Sequence, residues 1–167
     1  MIETKKWRNL FVTSLGEVFC DVNLKHKFPL SKRYKIDKKT KEKVWEGYYS
    51  VQFPHSRKHF PVHRIVAELF ITKPNPKFNV VDHINGCRAD NRITNLRWCN
   101  AHLNAINRPP LGIRYKRFRK GWVSHIRCKQ KRFRVGVFKT YSAAYIASKK
   151  FKENLFESEL KKYLLTS

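Results

Sequence analysis

Between Asp90 and Glu153 the chain carries no carboxylate, yet residues 91–152 hold 17 lysines and arginines. A segment that cannot pair its cations internally must fold with them on its surface, where they seek an outside polyanion. The same bias runs through all 167 residues: 37 Lys+Arg against 12 Asp+Glu leave a formal charge of +25. With 41% apolar and 14% aromatic residues, the composition is too rich in core-forming side chains for a disordered basic tail. A folded chain with one ordinary domain or two small ones is expected, and its partner is nucleic acid or an anionic membrane surface. No apolar run approaches the roughly 18–20 residues that span a bilayer. The opening Met1–Trp7 lacks the apolar stretch of a signal peptide, so a secreted or membrane-spanning protein is not expected. Cys20, Cys87, Cys99 and Cys128 are scattered without the close pairs of a structural zinc site. They read as reduced thiols serving as small core residues.

Asn107-Arg108-Pro109-Pro110-Leu111-Gly112 is the clearest boundary, because two prolines and a glycine stop one helix and start a new unit. It divides the chain into 1–108 and 109–167. Upstream, Leu10–Thr13 and Glu17–Cys20 flank Ser14-Leu15-Gly16 as a hairpin, and Tyr48–Phe53 alternates like a strand. Pro61–Phe70 places Ile65, Val66, Leu69 and Phe70 at helical spacing. Val80-Val81-Asp82-His83-Ile84-Asn85-Gly86 is a short apolar run ending in an acid and a histidine at an Asn-Gly turn. A short helix follows over 100–107. Downstream, Gly112–Arg119, Trp122–Lys129 and Arg132–Phe138 read as three strands. A helix capped at Thr140-Tyr141-Ser142 then aligns Ala144, Ala147, Phe151 and Leu155. The fold class is α+β.

Asp82 and His83 are neighbours on a strand end, where side chains alternate, so one can hold a metal while the other faces a substrate. Asn104, on the following helix, can add a second oxygen ligand. Oxygen-only ligation suits magnesium or manganese rather than zinc, and two protein ligands leave positions open for water and phosphate oxygens. A neutral histidine, with an ordinary pKa of about 6.5, is a suitable base for activating water.

These residues resemble a known family. Asp82-His83, Asn85-Gly86, Asp90-Asn91-Arg92, Asn95-Leu96-Arg97-Trp98 and the step from Asn95 to Asn104 are similar to the ββα-metal nucleases of His-Asn-His (HNH) type, especially phage and intron homing endonucleases. The resemblance implies a ββα-metal core in which Asp82 and Asn104 bind one divalent ion, His83 is the general base and Asn95 braces the loop that carries it. The final position is Asn rather than His, a substitution familiar in the homing subgroup and one that favours magnesium or manganese. His63-Arg64 resembles the Val-His-Arg segment upstream of this motif, with a phosphate-contacting or a packing role. Trp7 through Val18 looks like the small β module that precedes it, with Trp7 in the core. The resemblance also implies 5′-phosphate and 3′-hydroxyl products and a cytoplasmic protein encoded by a phage or mobile element.

Gly112-Ile113-Arg114, Gly121–Arg127, Arg132–Phe138 and the Ala-rich helix resemble a second family, the plant ethylene-response (Apetala-type) DNA-binding domain. Strand parity gives a consistent picture. His125 and Arg127 share one face, as do Arg132 and Arg134, while Trp122, Ile126, Phe133 and Val135 fall opposite. A three-stranded sheet can lie in the major groove, where arginine bonds guanine. Arg64, Arg97, Arg114, His125, Arg127, Arg132 and Arg134 are therefore the expected DNA contacts.

The expectation is a site-recognising, divalent-metal-dependent endonuclease acting on double-stranded DNA. One active site per chain means that a monomer nicks one strand, and a double-strand break needs a dimer or a second event. The rival from another class is a DNA-binding protein whose nuclease motif does not work. An RNA-binding protein ranks third, since the second domain shows no stacking platform of the RNA-recognition type.

Overall fold

The computed structural model describes residues 2–21, 23–36, 38, 42–53, 57–107, 112–128 and 131–165. The Pro-Pro boundary at 108–111, Lys129 and residues 39–41 of the lysine-rich turn lie outside them. In chain order the strands and helices are β1 (Thr4–Trp7), β2 (Leu10–Thr13), β3 (Val18–Phe19), β4 (Ser31–Ile36), β5 (Lys43–Val51), β6 (Phe60–Pro61), α1 (Val62–Phe70), β7 (Val80–His83), β8 (Leu96–Cys99), α2 (Ala101–Asn107), β9 (Arg114–Lys116), β10 (Gly121–Cys128), β11 (Lys131–Phe138) and α3 (Tyr141–Leu165). Short 3-10 turns occupy Ile93–Asn95 and Arg117–Arg119. The fold is mixed α+β, as expected, with small antiparallel sheets and three helices. Among the described residues no helix is long and apolar enough to cross a membrane.

The chain forms two compact units, one of Met1–Lys73 with Val81–Trp98 and one of Pro74–Val80 with Cys99–Ser167. In the first, β1, β2 and β3 form one sheet and β4, β5 and β6 another, while β7 pairs with β8. Val12, Val51, Val62 and Val66 are fully buried between the sheets and α1, joined by Leu10, Val18, Ile65 and Leu96. Each such aliphatic side chain contributes about 1.5–3 kcal/mol on leaving water. Trp7 packs on this core with Phe60 against it at 5.3 Å. α1 begins one residue after Pro61, whose missing N–H costs nothing at a helix start.

The second unit is a three-stranded sheet in the order β11-β10-β9, covered by α3 with α2 alongside. Small residues let α3 approach: Ala144 and Ser148 are fully buried, and the Ser148 hydroxyl meets that of Ser124 on β10 at 2.6 Å. Phe133 meets Phe151 at 5.7 Å. The β10–β11 register steps from Ser124↔Gly136 to His125↔Arg134. Val135 is the extra residue, so the alternation read from sequence holds for Phe133 and stops there.

The turn between β2 and β3 matters beyond its own hairpin. Gly16 takes φ +79°, and a β-carbon there would sit 2.6 Å from Cβ of Asn91 and 2.8 Å from its carbonyl oxygen. The Ile93 amide donates to the Ser14 carbonyl at 3.0 Å, closing the same contact. Gly16→Ala should therefore destabilise the protein by about 2–3 kcal/mol, from left-handed strain plus displacement of Asn91. Chemical denaturation measures this, and a variant as stable as wild type contradicts the contact.

Candidate active site

The β7–β8 hairpin loop is held by its own amides. Asn95 receives the Asn85 N–H on its side-chain oxygen at 2.9 Å, gives its side-chain N–H to the Asp90 carbonyl at 2.8 Å, and accepts the Ile84 N–H on its backbone carbonyl at 2.8 Å. Asn85 reaches Asp90 at 2.9 Å and accepts the Cys87 N–H at 2.7 Å. Gly86 supplies φ +77° where the loop turns. Arg92 bonds both oxygens of Asp90 at 2.8 Å, which draws that carboxyl down to about 2. The loop is thus rigid from the end of β7 to the start of β8.

Asp82 and His83, adjacent and both buried, keep different company. Asp82 Oδ2 accepts from Arg97 Nε at 2.9 Å and Nη2 at 2.8 Å. Burying a carboxylate is costly without such a partner. His83 Nε2 lies 3.3 Å from Asn91 Oδ1. A proton on Nε2, donated to this amide oxygen, would leave the basic lone pair on Nδ1. Burial pushes the His83 pKa down, against the Asn91 bond and the Asp82 and Asp90 charges, which pull it up.

Three rings that sequence reading left unconnected meet here. His63, the second residue of α1, stands edge-on to His83 at 5.2 Å, and Tyr48 of β5 lies 5.1 Å from His63 and 6.0 Å from His83. Arg88 lies over the Tyr48 ring at 5.0 Å and donates to the Glu46 carbonyl at 3.1 Å, tying the loop to β5. His63 Nδ1 is buried and, among the described residues, has no hydrogen-bond partner. Burial, then the charges of His83, Arg64 and Arg33, lower its pKa to about 4. Asn91 stood within a quoted motif without a role, and His63 was left between two. No local spacing reports that Tyr48 joins them.

The remaining expected residues are placed as follows. Arg64 on α1 pairs with Glu68 at 3.5 Å, and Arg97 on β8 is engaged with Asp82. Asn104 belongs to α2 in the second unit, half-buried, with its amide on the Asn100 carbonyl at 3.0 Å. His125 and Arg127 on β10 register with Arg134 and Arg132 on β11, so all four share one face. Arg114 is exposed on β9. Burial first, then Arg132, Arg134, Arg119 and Lys116, hold His125 below its ordinary pKa. That face carries a concentrated positive field.

Among the described residues no three His, Cys, Asp or Glu side chains gather as a metal site. Asp82 in the first unit and Asn104 in the second each carry an oxygen donor of the kind that suits a hard divalent ion. Residues 60–105 match the family described as HNH endonuclease. The HNH segment runs from β6 through α1 and the β7–β8 hairpin into α2, and so includes His63, Asp82, His83, Asn91, Asn95 and Asn104. Over 88 residues the chain is 41% identical to an uncharacterized HNH endonuclease, L245, of Acanthamoeba polyphaga mimivirus, a match covering 52% of this chain and 26% of that protein. Among solved structures it is similar to the HNH homing endonuclease I-HmuI, described for DNA binding and cleavage. There the identity is 27%, the TM-score 0.42, and the coverage 63% of this chain and 56% of that one. The chain thus spans about a quarter of the curated relative and little over half of the solved one.

The buried histidines make stability depend on pH. With a folded pKa of about 4 against 6.5 unfolded, the native state binds fewer protons than the unfolded state between those values. Stability should therefore fall as pH drops from 6.5 towards 4. His63→Phe, which keeps a ring at this place, should make the slope shallower by up to about 1.4 kcal/mol per pH unit. Urea melts across that range measure it, and an unchanged slope contradicts the burial of a neutral His63.

Proposed function

We propose that the chain is a site-recognising DNA endonuclease that requires a divalent metal. The observation that carries this reading is the buried, neutral His83 beside the Asp82 carboxylate on a braced hairpin, within a segment that matches the HNH endonuclease family. His83 Nδ1 takes a proton from water as that water attacks phosphorus in line with the leaving 3′ oxygen. The Asn91 bond holds the imidazole in the tautomer this needs, and Asn95 holds the loop that presents it. Asp82 and Asn104 are the residues that would hold magnesium or manganese, and such an ion would supply positive charge to the phosphate and the leaving oxygen. The products are a 5′-phosphate and a 3′-hydroxyl.

Residues 1–108 carry the cut in this reading and 109–167 choose its place, as an Apetala-type domain would. The shared face of His125, Arg127, Arg132 and Arg134 supports it, since four such groups aligned on one sheet face suit the edges and phosphates of duplex DNA. Arg114 belongs with them, and Arg64 contributes to the backbone. Arg97 is assigned instead to pairing with Asp82 and orienting it.

Supercoiled plasmid containing a preferred sequence, incubated with magnesium, manganese or EDTA, tests the proposal. Open circles should appear with either metal and not with EDTA, DNA ligase should reseal them, and Asp82→Ala should nick at least about a hundredfold more slowly. A single active site per chain predicts nicked circles before linear DNA. Tight binding to a preferred sequence without any cut would instead favour the rival, a DNA-binding protein with an inactive motif.

A further inference from the structure

The second unit carries an aromatic surface that neither the hairpin site nor the arginine face uses. Tyr115 on β9 and Trp122 on β10 are register partners, so they share a side of the sheet, with ring centroids 5.6 Å apart. Trp122 meets Tyr141 at the start of α3 at 5.2 Å, and Tyr141 lies nearly parallel to Tyr145, one helical turn on, at 6.4 Å. By alternation along β10, Trp122 points to the same side as Ser124 and Ile126, opposite His125 and Arg127. The ladder and the arginine face are thus separate.

These rings are not core. Tyr115, Tyr141 and Tyr145 are 54%, 48% and 44% exposed. An aromatic run of this size left in water marks a binding site more often than a packing accident. The protein's own cations do not cover it. In the first unit Lys32 lies over Trp45 and Lys43 over Tyr34, but among the described residues no cation lies over these four rings. The cations beside the rings in sequence are Lys139, just before the helix, and Lys149, one turn after Tyr145, while Arg114 and Lys116 alternate to the other side of the sheet from Tyr115. No carboxylate occurs in sequence until Glu153.

We propose that Tyr115, Trp122, Tyr141 and Tyr145 form a base-stacking site for an unpaired DNA strand. In a duplex the faces of the bases are already stacked on one another, so exposed rings have nothing to gain there. An unpaired strand offers free base faces to the rings and phosphates to the flanking cations, the combination used by single-strand binders. The sequence order allows such a surface because Tyr115 and Trp122 meet through strand register and Tyr141 and Tyr145 through helical spacing. No single local motif contains all four. This site goes beyond the endonuclease reading and does not depend on it.

The test compares the full chain binding an oligothymidylate of about a dozen nucleotides with its binding a duplex, by anisotropy at matched salt. Tyr145→Ala and Tyr115→Ala should each weaken oligothymidylate binding roughly 5- to 100-fold, the loss of one stacked base. Duplex affinity should change less than about twofold. Tyr145→Phe and Tyr115→Phe keep the ring and should bind as wild type, which separates stacking from any effect on folding. Alanine variants that bind oligothymidylate as wild type does, or that lose both ligands in parallel, would overturn the proposal. So would marked preference for oligouridylate with the same ring dependence, which would make the partner RNA.

Discussion

Everything at the hairpin site depends on one close contact, that of Gly16 with Asn91. Only a residue without a β-carbon lets the β2–β3 turn lie on the Asn91 backbone, and Asn91 in turn meets Nε2 of His83. A turn far away in sequence thereby backs the residue that faces the imidazole. Asn95 secures the same loop from the other end through bonds to Ile84, Asn85, Asp90 and Arg92. Burial lowers the His83 pKa and the Asn91 amide meets its Nε2, the two features on which the proposed role of His83 as a base rests. A carboxylate partner in place of Asn91 would instead favour the protonated ring.

Charge is handled differently in the two units. In the first, the buried acid is answered by an arginine and two half-buried acids by nearby cations, so Asp82, Asp90 and Glu46 each have a basic partner. In the second, the strands and the early part of α3 have no acid to answer their cations. Arg127, Arg132 and Arg134 align on one face although alignment raises their mutual repulsion, and burial, followed by the charges of Arg132 and Arg134, depresses His125 beside them. Such an arrangement stores unfavourable electrostatic energy that a polyanion relieves, and salt should weaken the association steeply.

Local patterns were legible in sequence and long-range ones were not. The helix over Val62–Phe70, the strand ending at His83 and the start of α3 all follow from spacing, a turn or a cap within a few residues. Thr4–Trp7 and Ser31–Ile36 escaped notice as strands because both are polar edge strands, built by pairing with β2 and β5 rather than by alternation of their own. The pair Asp82-His83 stood out because it is contiguous. The rings of His63 and Tyr48 come from a helix start and a different sheet, and only packing brings them to His83. Likewise the four-ring surface of the second unit is split between two strands and a helix, so the sequence suggested no stacking platform there.

The central claim is that His83 acts on water at a phosphodiester. Single-turnover strand cleavage tests it most directly, comparing wild type with His83→Ala, each saturated with the same DNA and metal. At equal occupancy the account predicts cleavage slower by about 10²- to 10⁴-fold in the variant, the usual contribution of a positioned base. Cleavage within a few-fold of wild type would contradict it.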